Sequence, residues 1–263
     1  MNPGEYLLNT ASKDKWERTG TKKRAGVLAP LFSLYSRESI GIGELKDLKL
    51  LIDWAAKTGN SIIQLLPMNE VGAVSCPYDS ISSFALEPAY ISLKVSPGAK
   101  DLKKRFPVGN PYVDYAIKEA ELQLLRESYV SKSQQEEKGF KDFREKNAYW
   151  LSDFALYKEL KAYHKGSAWY DWPVEFKERD KSTLWKFKKE NQEGIDFQMW
   201  VQWQLYQQFR EVKEYAERKK VLLKGDLPIL VSRDSADVWH HPEFFKLEFA
   251  AGAPPDMYCA KGQ

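Results

Sequence analysis

Cysteine and histidine are scarce: two and three residues in a chain of 263. Two cysteines, Cys76 and Cys259, cannot build a disulfide scaffold. With no basic-then-apolar leader at Met1-Asn2-Pro3-Gly4-Glu5, they predict reduced thiols and a cytoplasmic protein. His164, His240 and His241 have no zinc-ligand spacing to those cysteines, so no metal site is expected. Neither sign of charge dominates. Forty Lys and Arg against 37 Asp and Glu leave +3, too even for nucleic acid or an anionic membrane as the main partner. No apolar run nears the roughly 18 residues of a transmembrane helix. A phosphate-binding GxxxxGK[ST] loop, a G-x-S-x-G elbow and internal repeats are all absent.

What remains is an ordinary globular composition, 43% hydrophobic and 29% charged, in a chain long enough for a sizeable core. Its one excess is aromatic, 14% of residues including nine Trp. Aromatics are first core and interface material, and also what flat sugar faces stack against.

The polar stretch 1–23 reads as an irregular lead-in. Arg24–Leu31 holds a short apolar run ended by Pro30, a buried strand. Leu45, Leu48, Leu51, Ile52 and Ala55 recur at three- and four-residue steps, an amphipathic helix that Gly59 is placed to cap. Ser61–Leu66 is a second buried strand, so 24–90 opens with a βαβ unit of parallel strands and right-handed crossover. The region 91–195 reads as a mainly helical inserted subdomain. In it, Asp114 can cap a helix carrying Ile117, Ala120 and Leu124, and Leu151, Phe154, Tyr157 and Leu160 mark another. In 196–263 a long helix face (Phe197, Val201, Leu205, Phe209, Val212, Ala216) leads to a third stretch of strand character over Val221–Ile229 and then to loops. Strands reached through helices predict an α/β fold with chemistry at the C-terminal strand ends.

Gly41-Ile42-Gly43 before a helix imitates a dinucleotide fingerprint, but Lys46 occupies the third glycine position, so a nucleotide-binding reading rests on two glycines. Asp226 directly follows the third strand and is either a turn cap or a carboxylate in the mouth of a barrel. Gly225 before it would admit backbone that a bulkier residue strains. Asp234 and Asp237 read as caps of the next helix, while Glu70 and Asp79 lie in the loop after the second strand. Tyr78, in that Pro-rich loop, is a sugar platform or a packed aromatic. Trp150, Trp200 and Trp203 read as core.

Three blocks together resemble the 4-α-glucanotransferases or amylomaltases, glycoside hydrolase family 77. They are Gly41-Ile42-Gly43 with its helix; Gln64-Leu65-Leu66-Pro67, running on through Cys76-Pro77-Tyr78-Asp79-Ser80 to Pro88-Ala89-Tyr90; and Gly225-Asp226-Leu227-Pro228-Ile229, Asp234–Trp239, His241-Pro242-Glu243 and Gly252–Tyr258. The resemblance implies a (β/α)₈ TIM-type barrel, of which this chain would hold only the first strands plus an inserted helical subdomain. It also implies transfer of α-1,4-glucan segments to a sugar 4-hydroxyl, with retention through a glucosyl-enzyme ester. That chemistry needs a carboxylate nucleophile and a carboxylic acid about 5 Å apart. Both are expected beyond Gln263, since the family's Arg-x-Asp-His motif is not present here. The resemblance assigns substrate binding to Tyr78, Asp226, Asp256 and Tyr258. It calls for no cofactor and no metal, and for an α-glucan donor and a sugar acceptor as partners. The family's pattern is not fully kept: Ala73, Cys76 and Met257 stand where many members have Tyr, Ser and Tyr. A non-catalytic α-glucan-binding protein is the alternative function.

Overall fold

The computed structural model describes residues 3–93, 96–129, 137–228, 231–249, 252–257 and 259–262. Three short strands, β1 (Gly26–Leu28), β2 (Ile62–Gln64) and β3 (Leu222–Lys224), form one parallel sheet in that order. Val27, Ile63 and Leu223 lie in register across it. The ladder continues past the strand ends, where Ala29 donates to the Gln64 carbonyl and Leu65 to the Lys224 carbonyl, each at 2.9 Å. Gly26 is required here, because a Cβ would lie 2.3 Å from the Ile62 carbonyl oxygen.

The helices run in chain order as α1 (Pro3–Leu7), α2 (Lys13–Thr19), α3 (Leu48–Lys57), α4 (Ala99–Arg105), α5 (Ala116–Ser128), α6 (Lys138–Lys146), α7 (Ala148–Tyr163), α8 (Val174–Lys177), α9 (Lys181–Glu190), α10 (Gln192–Arg218) and α11 (Ala236–His240). The many helices around a small parallel sheet make the chain α/β. The lead-in expected to be irregular carries α1 and α2. α2 buries no residue and gains only exposed local pairs such as Lys13–Glu17 at 3.7 Å, so no apolar face announced it.

Crossover helix α3 buries Leu48, Ile52 and Ala55. It stops where Gly59 turns left-handed (φ +78°) and Asn60 donates to the Ala55 carbonyl at 2.9 Å, a Schellman closure. α10, 27 residues long, buries Phe197, Val201, Leu205, Val212 and Ala216 against α3 and α7. α7 returns Leu151, Phe154, Tyr157 and Leu160 to the same core, where Trp150, Trp200 and Trp203 are also buried.

α10 also holds the loop after β2. The Gln202 amide accepts from Leu86 N–H and donates to its carbonyl, at 2.8 and 2.9 Å. Gln208 treats Ser92 the same way, at 2.8 and 3.2 Å. Tyr206 donates to the Phe84 carbonyl at 2.8 Å. Each glutamine imitates a neighbouring strand, satisfying backbone groups that a loop would otherwise leave unpaired.

Candidate functional site

The candidate site lies beyond the C-terminal ends of β2 and β3. The loop after β2 folds on itself, with Asn69 opposite Leu86 and Val71 opposite Ser80. It is then joined to the loop after β3. Ser232 donates to the Ser80 carbonyl and Ala236 to the Ile81 carbonyl, each at 2.9 Å, while Ser83 N–H donates to Asp237 Oδ2 at 2.7 Å. These bonds join the two loops, which carry Tyr78 and Asp226.

Those two residues, 148 positions apart, meet: Tyr78 Oη donates to Asp226 Oδ2 at 2.8 Å. Tyr78 is 41% exposed and Asp226 half-exposed, so the pair is open to a ligand. The hydrogen bond to Asp226, some burial and the carboxylate's charge together raise the Tyr78 phenol above its ordinary pKa and keep it a neutral donor. A ring, a hydroxyl and a carboxylate on one surface suit a polyhydroxylated ligand. Gly225 does not play the part expected of it. No heavy atom lies within 4 Å of an added Cβ, and Gly225 is not among the left-handed residues, so strain does not demand glycine there.

Asp256 is not brought to this pair by its bonds to Cys259. Its Oδ1 accepts Cys259 N–H at 2.7 Å and its own N–H donates to the Cys259 carbonyl at 3.1 Å, closing a local turn. Tyr258 lies outside the described residues.

Asp234 and Asp237 were expected to cap α11, but Ser235 does so, accepting Val238 N–H at 3.2 Å. Asp234, one residue before the cap, instead faces α7. It accepts Tyr157 Oη at 2.7 Å, Lys161 Nζ at 2.6 Å and Trp169 N–H at 3.1 Å.

Beneath the loop lies a group that the sequence reading missed. Lys118 Nζ sits 3.1 Å from both Glu70 Oε1 and Glu87 Oε2 and donates to the Val71 carbonyl at 3.0 Å. Lys158 from α7 also donates to Glu70 Oε1. Burial pushes the Glu70 carboxyl up, but the Lys118 and Lys158 charges outweigh it and hold Glu70 ionised, below the usual range. Glu87 is raised by burial and by Glu70's charge, with Lys118 opposing. Glu121 is fully buried, and neither of its carboxyl oxygens has a hydrogen-bond partner among the described residues. Burial first, then the charges of Glu44 and Glu87, raise it well above the carboxylate range, so it is a neutral acid. The one available signal was Lys118 and Glu121 at i and i+3 beside the buried Ile117.

The Gly41–Gly43 turn is no nucleotide cradle. A Cβ on Gly43 would lie 1.9 Å from the Leu31 carbonyl oxygen. The backbone amides of Ile40 and Glu44 are taken by the chain's own acids, Glu44 Oε1 at 2.8 Å and Asp47 Oδ2 at 3.0 Å. Among the described residues no cluster of His, Cys, Asp or Glu is arranged to hold a metal, and no helix is long and apolar enough to cross a membrane.

The class follows first from the architecture, which is that of the amylomaltases. Over 92% of this chain and 52% of the other, it matches an amylomaltase from Streptococcus agalactiae, solved with acarbose, at TM-score 0.81 and 29% identity. An amylomaltase from Corynebacterium glutamicum, 22% identical, shares the fold at TM-score 0.73 over 96% of this chain and 36% of that one. In sequence, the chain is 39% identical to a 4-alpha-glucanotransferase of Chlamydia caviae, covering 98% of this chain and 50% of that protein. It is 35% identical to the 4-alpha-glucanotransferase DPE2 of Oryza sativa subsp. japonica, covering 99% and 29%. The model of the 4-alpha-glucanotransferase family, glycoside hydrolase family 77, matches residues 29–263, and the chain belongs to that family. It spans about half the length of curated bacterial relatives it matches.

Proposed function

We propose that this chain is the substrate-positioning half of a cytoplasmic 4-α-glucanotransferase, with Tyr78 and Asp226 contacting the donor glucan. The observation that carries the reading is the Tyr78–Asp226 hydrogen bond at the ends of β2 and β3, in a chain of this family. In this reading β1 to β3 are the first strands of a (β/α)₈ barrel. The sheet's β1 edge supports it: Leu28 is 56% exposed where a further strand or helix would cover it. Asp256 and Tyr258 belong to a loop closing over the bound glucan.

The proposed reaction cleaves an α-1,4 bond with retention and passes the glucosyl group to a sugar 4-hydroxyl. One carboxylate attacks the anomeric carbon while a carboxylic acid protonates the departing oxygen; the acceptor hydroxyl then reverses the first step. We assign both acids to the part of the relatives' length that this chain does not span. Asp226 would accept hydrogen bonds from sugar hydroxyls, and Tyr78 would lay its ring against a sugar and steady the carboxylate. The test is transfer from maltotriose. The 263-residue chain alone stays at background, and a protein continuing through an Arg-x-Asp-His motif and a later Glu forms longer oligosaccharides. Transfer by the 263 residues alone would refute the division of roles.

A further inference from the structure

Two lysines on α7 reach two different loops. Lys158 donates to Glu70 Oε1 in the loop after β2, and Lys161 donates to Asp234 Oδ2 in the loop after β3, at 2.6 Å. At i and i+3 their side chains share one face of the helix. Both line a cavity of about 390 Å³, together with Gly72, Ser75, Lys118 and Asp234. Three ammonium groups in one cavity suggest an anion site, but the chain itself has taken them up. Lys118 spends its N–H groups on Glu70, Glu87 and the Val71 carbonyl. Lys161 spends its own on Asp234 and on the carbonyls of Gly166 and Ser167, at 2.8 and 2.9 Å. A lysine has three such donors, so neither has one left for a ligand. The work of these cations is therefore on the loops.

Each α7 lysine grips its loop at a point that fixes the part presenting the site. Glu70 N–H donates to the Ala85 carbonyl and the Glu70 carbonyl accepts Ile81 N–H, each at 2.8 Å, so Glu70 closes the foot of the excursion that carries Tyr78. Asp234, further along the loop that begins with Asp226, also accepts Tyr157 Oη from α7 at 2.7 Å. Trp169 adds its backbone N–H to Asp234 at 3.1 Å and its indole N–H to the Arg233 carbonyl at 2.7 Å. The Lys158 and Lys161 side chains are only 17% and 22% exposed, so salt screens these pairs less than pairs on the open surface. One turn of α7 thus braces both of the loops that the Tyr78–Asp226 hydrogen bond joins.

We infer that Lys158 and Lys161 are positioning residues of the proposed glucan site, bringing Tyr78 and Asp226 into hydrogen-bond distance by bracing both loops on α7. The inference rests on the glucan reading above for what the pair binds. The test follows the Tyr78 phenol of the 263-residue chain by NMR with tyrosine labelled at Cζ, the signal being identified by Tyr78→Phe. The variants are Lys158→Met, Lys161→Met, the two combined, and the combined Lys158→Arg and Lys161→Arg. Lys219→Met, which breaks a pair with Asp53 of α3 at 2.7 Å, controls for a general loss of stability. In the double Met variant the phenol titrates nearer the ordinary tyrosine value. Its affinity for maltoheptaose, read by calorimetry, falls about 3- to 10-fold, the loss of one well-placed hydrogen bond. The double Arg variant, which keeps both cations, and Lys219→Met retain the wild-type titration and affinity. Each single variant leaves its acid a partner, Lys118 for Glu70 and Tyr157 with Trp169 N–H for Asp234. If the double Met variant unfolds, the single variants therefore carry the test, with a smaller shift in the same direction. An unchanged Tyr78 titration in the folded Met variants, or an equal shift in Lys219→Met, overturns the brace. Where the wild type binds, unchanged affinity in the folded Met variants overturns the positioning role. A wild-type chain that does not bind maltoheptaose removes the support of glucan binding from the function, while the Tyr78 titration still decides the brace.

Discussion

The ion cluster under the β2 loop and the Tyr78–Asp226 pair at its tip use the same materials. Each joins the segment after β2 to a distant part of the chain through a carboxylate. They differ in water. The carboxylates of Glu70 and Glu87 are both 1% exposed; Glu70 Oε1 is engaged by Lys118 and Lys158, and Glu87 by Lys118 and the Val71 and Ala89 amides. Tyr78 and Asp226 remain open, so their unspent hydrogen-bonding capacity is available to a ligand. Burial thus separates a polar group that holds a loop from one that the loop presents.

The largest effect expected from breaking that contrast is at Lys118. Lys118→Ala leaves Glu70 and Glu87 buried with one cation fewer. Stability falls by about 3–5 kcal/mol, the usual loss when one partner of a buried ion pair is removed. Urea unfolding reads this directly, and a loss below about 1 kcal/mol would mean that the cluster is not a closed unit. At the open pair the damage should be to activity instead. In a protein that includes the catalytic acids, Asp226→Ala lowers transfer by about 10²-fold if positioning fails, as misplacement of a bound substrate typically does. Its unfolding midpoint stays near wild type, and a fluorinated sugar still traps the nucleophile. A peptide map showing the trapped sugar on Asp226 would reverse the roles.

Glu121 sharpens the comparison as the buried carboxyl with no hydrogen-bond partner among the described residues. Its folded pKa is raised, so the native state holds a proton that the unfolded chain releases above its ordinary value of 4.5. Its contribution is therefore full below that value and declines as pH rises, with the raised Glu87 adding to the same trend. Glu121→Met should stabilise the protein by about 1–3 kcal/mol at pH 7, because an unsatisfied buried polar group is removed. The same variant flattens the decline above pH 4.5 in a series of denaturant melts. An unchanged slope would assign the trend to other groups. The smallest effect is at Tyr78→Phe, which deletes one half-exposed hydrogen bond. Stability changes by no more than about 1 kcal/mol, and one phenol that titrates above the ordinary tyrosine range disappears from the ultraviolet titration.

Much of the frame was legible in residue order. Apolar runs at Val27, Ile63 and Leu223 marked the strands, and the spacings along α3, α7 and α10 marked the faces that are buried. Tyr78 and Asp226 could each be singled out, one by its Pro-rich loop and one by its place after a strand. Their hydrogen bond could not, since nothing in the intervening 148 positions encodes a distance. Lys118 and Glu121 were not singled out, because residue type carries no burial. Asp234 looked like a cap because its neighbour Ser235 has the same preference for that position.

Periodicity and block order by themselves determined the α/β class, the parallel direction of the first two strands and the family resemblance, because these depend on local spacing and on residues taken in sequence. Only tertiary structure decided which acids are paired, which one is neutral and which pair faces solvent. Those outcomes depend on dielectric surroundings and on contacts between segments far apart in the chain, and both exist only once α5, α7 and α10 have closed over the loop after β2.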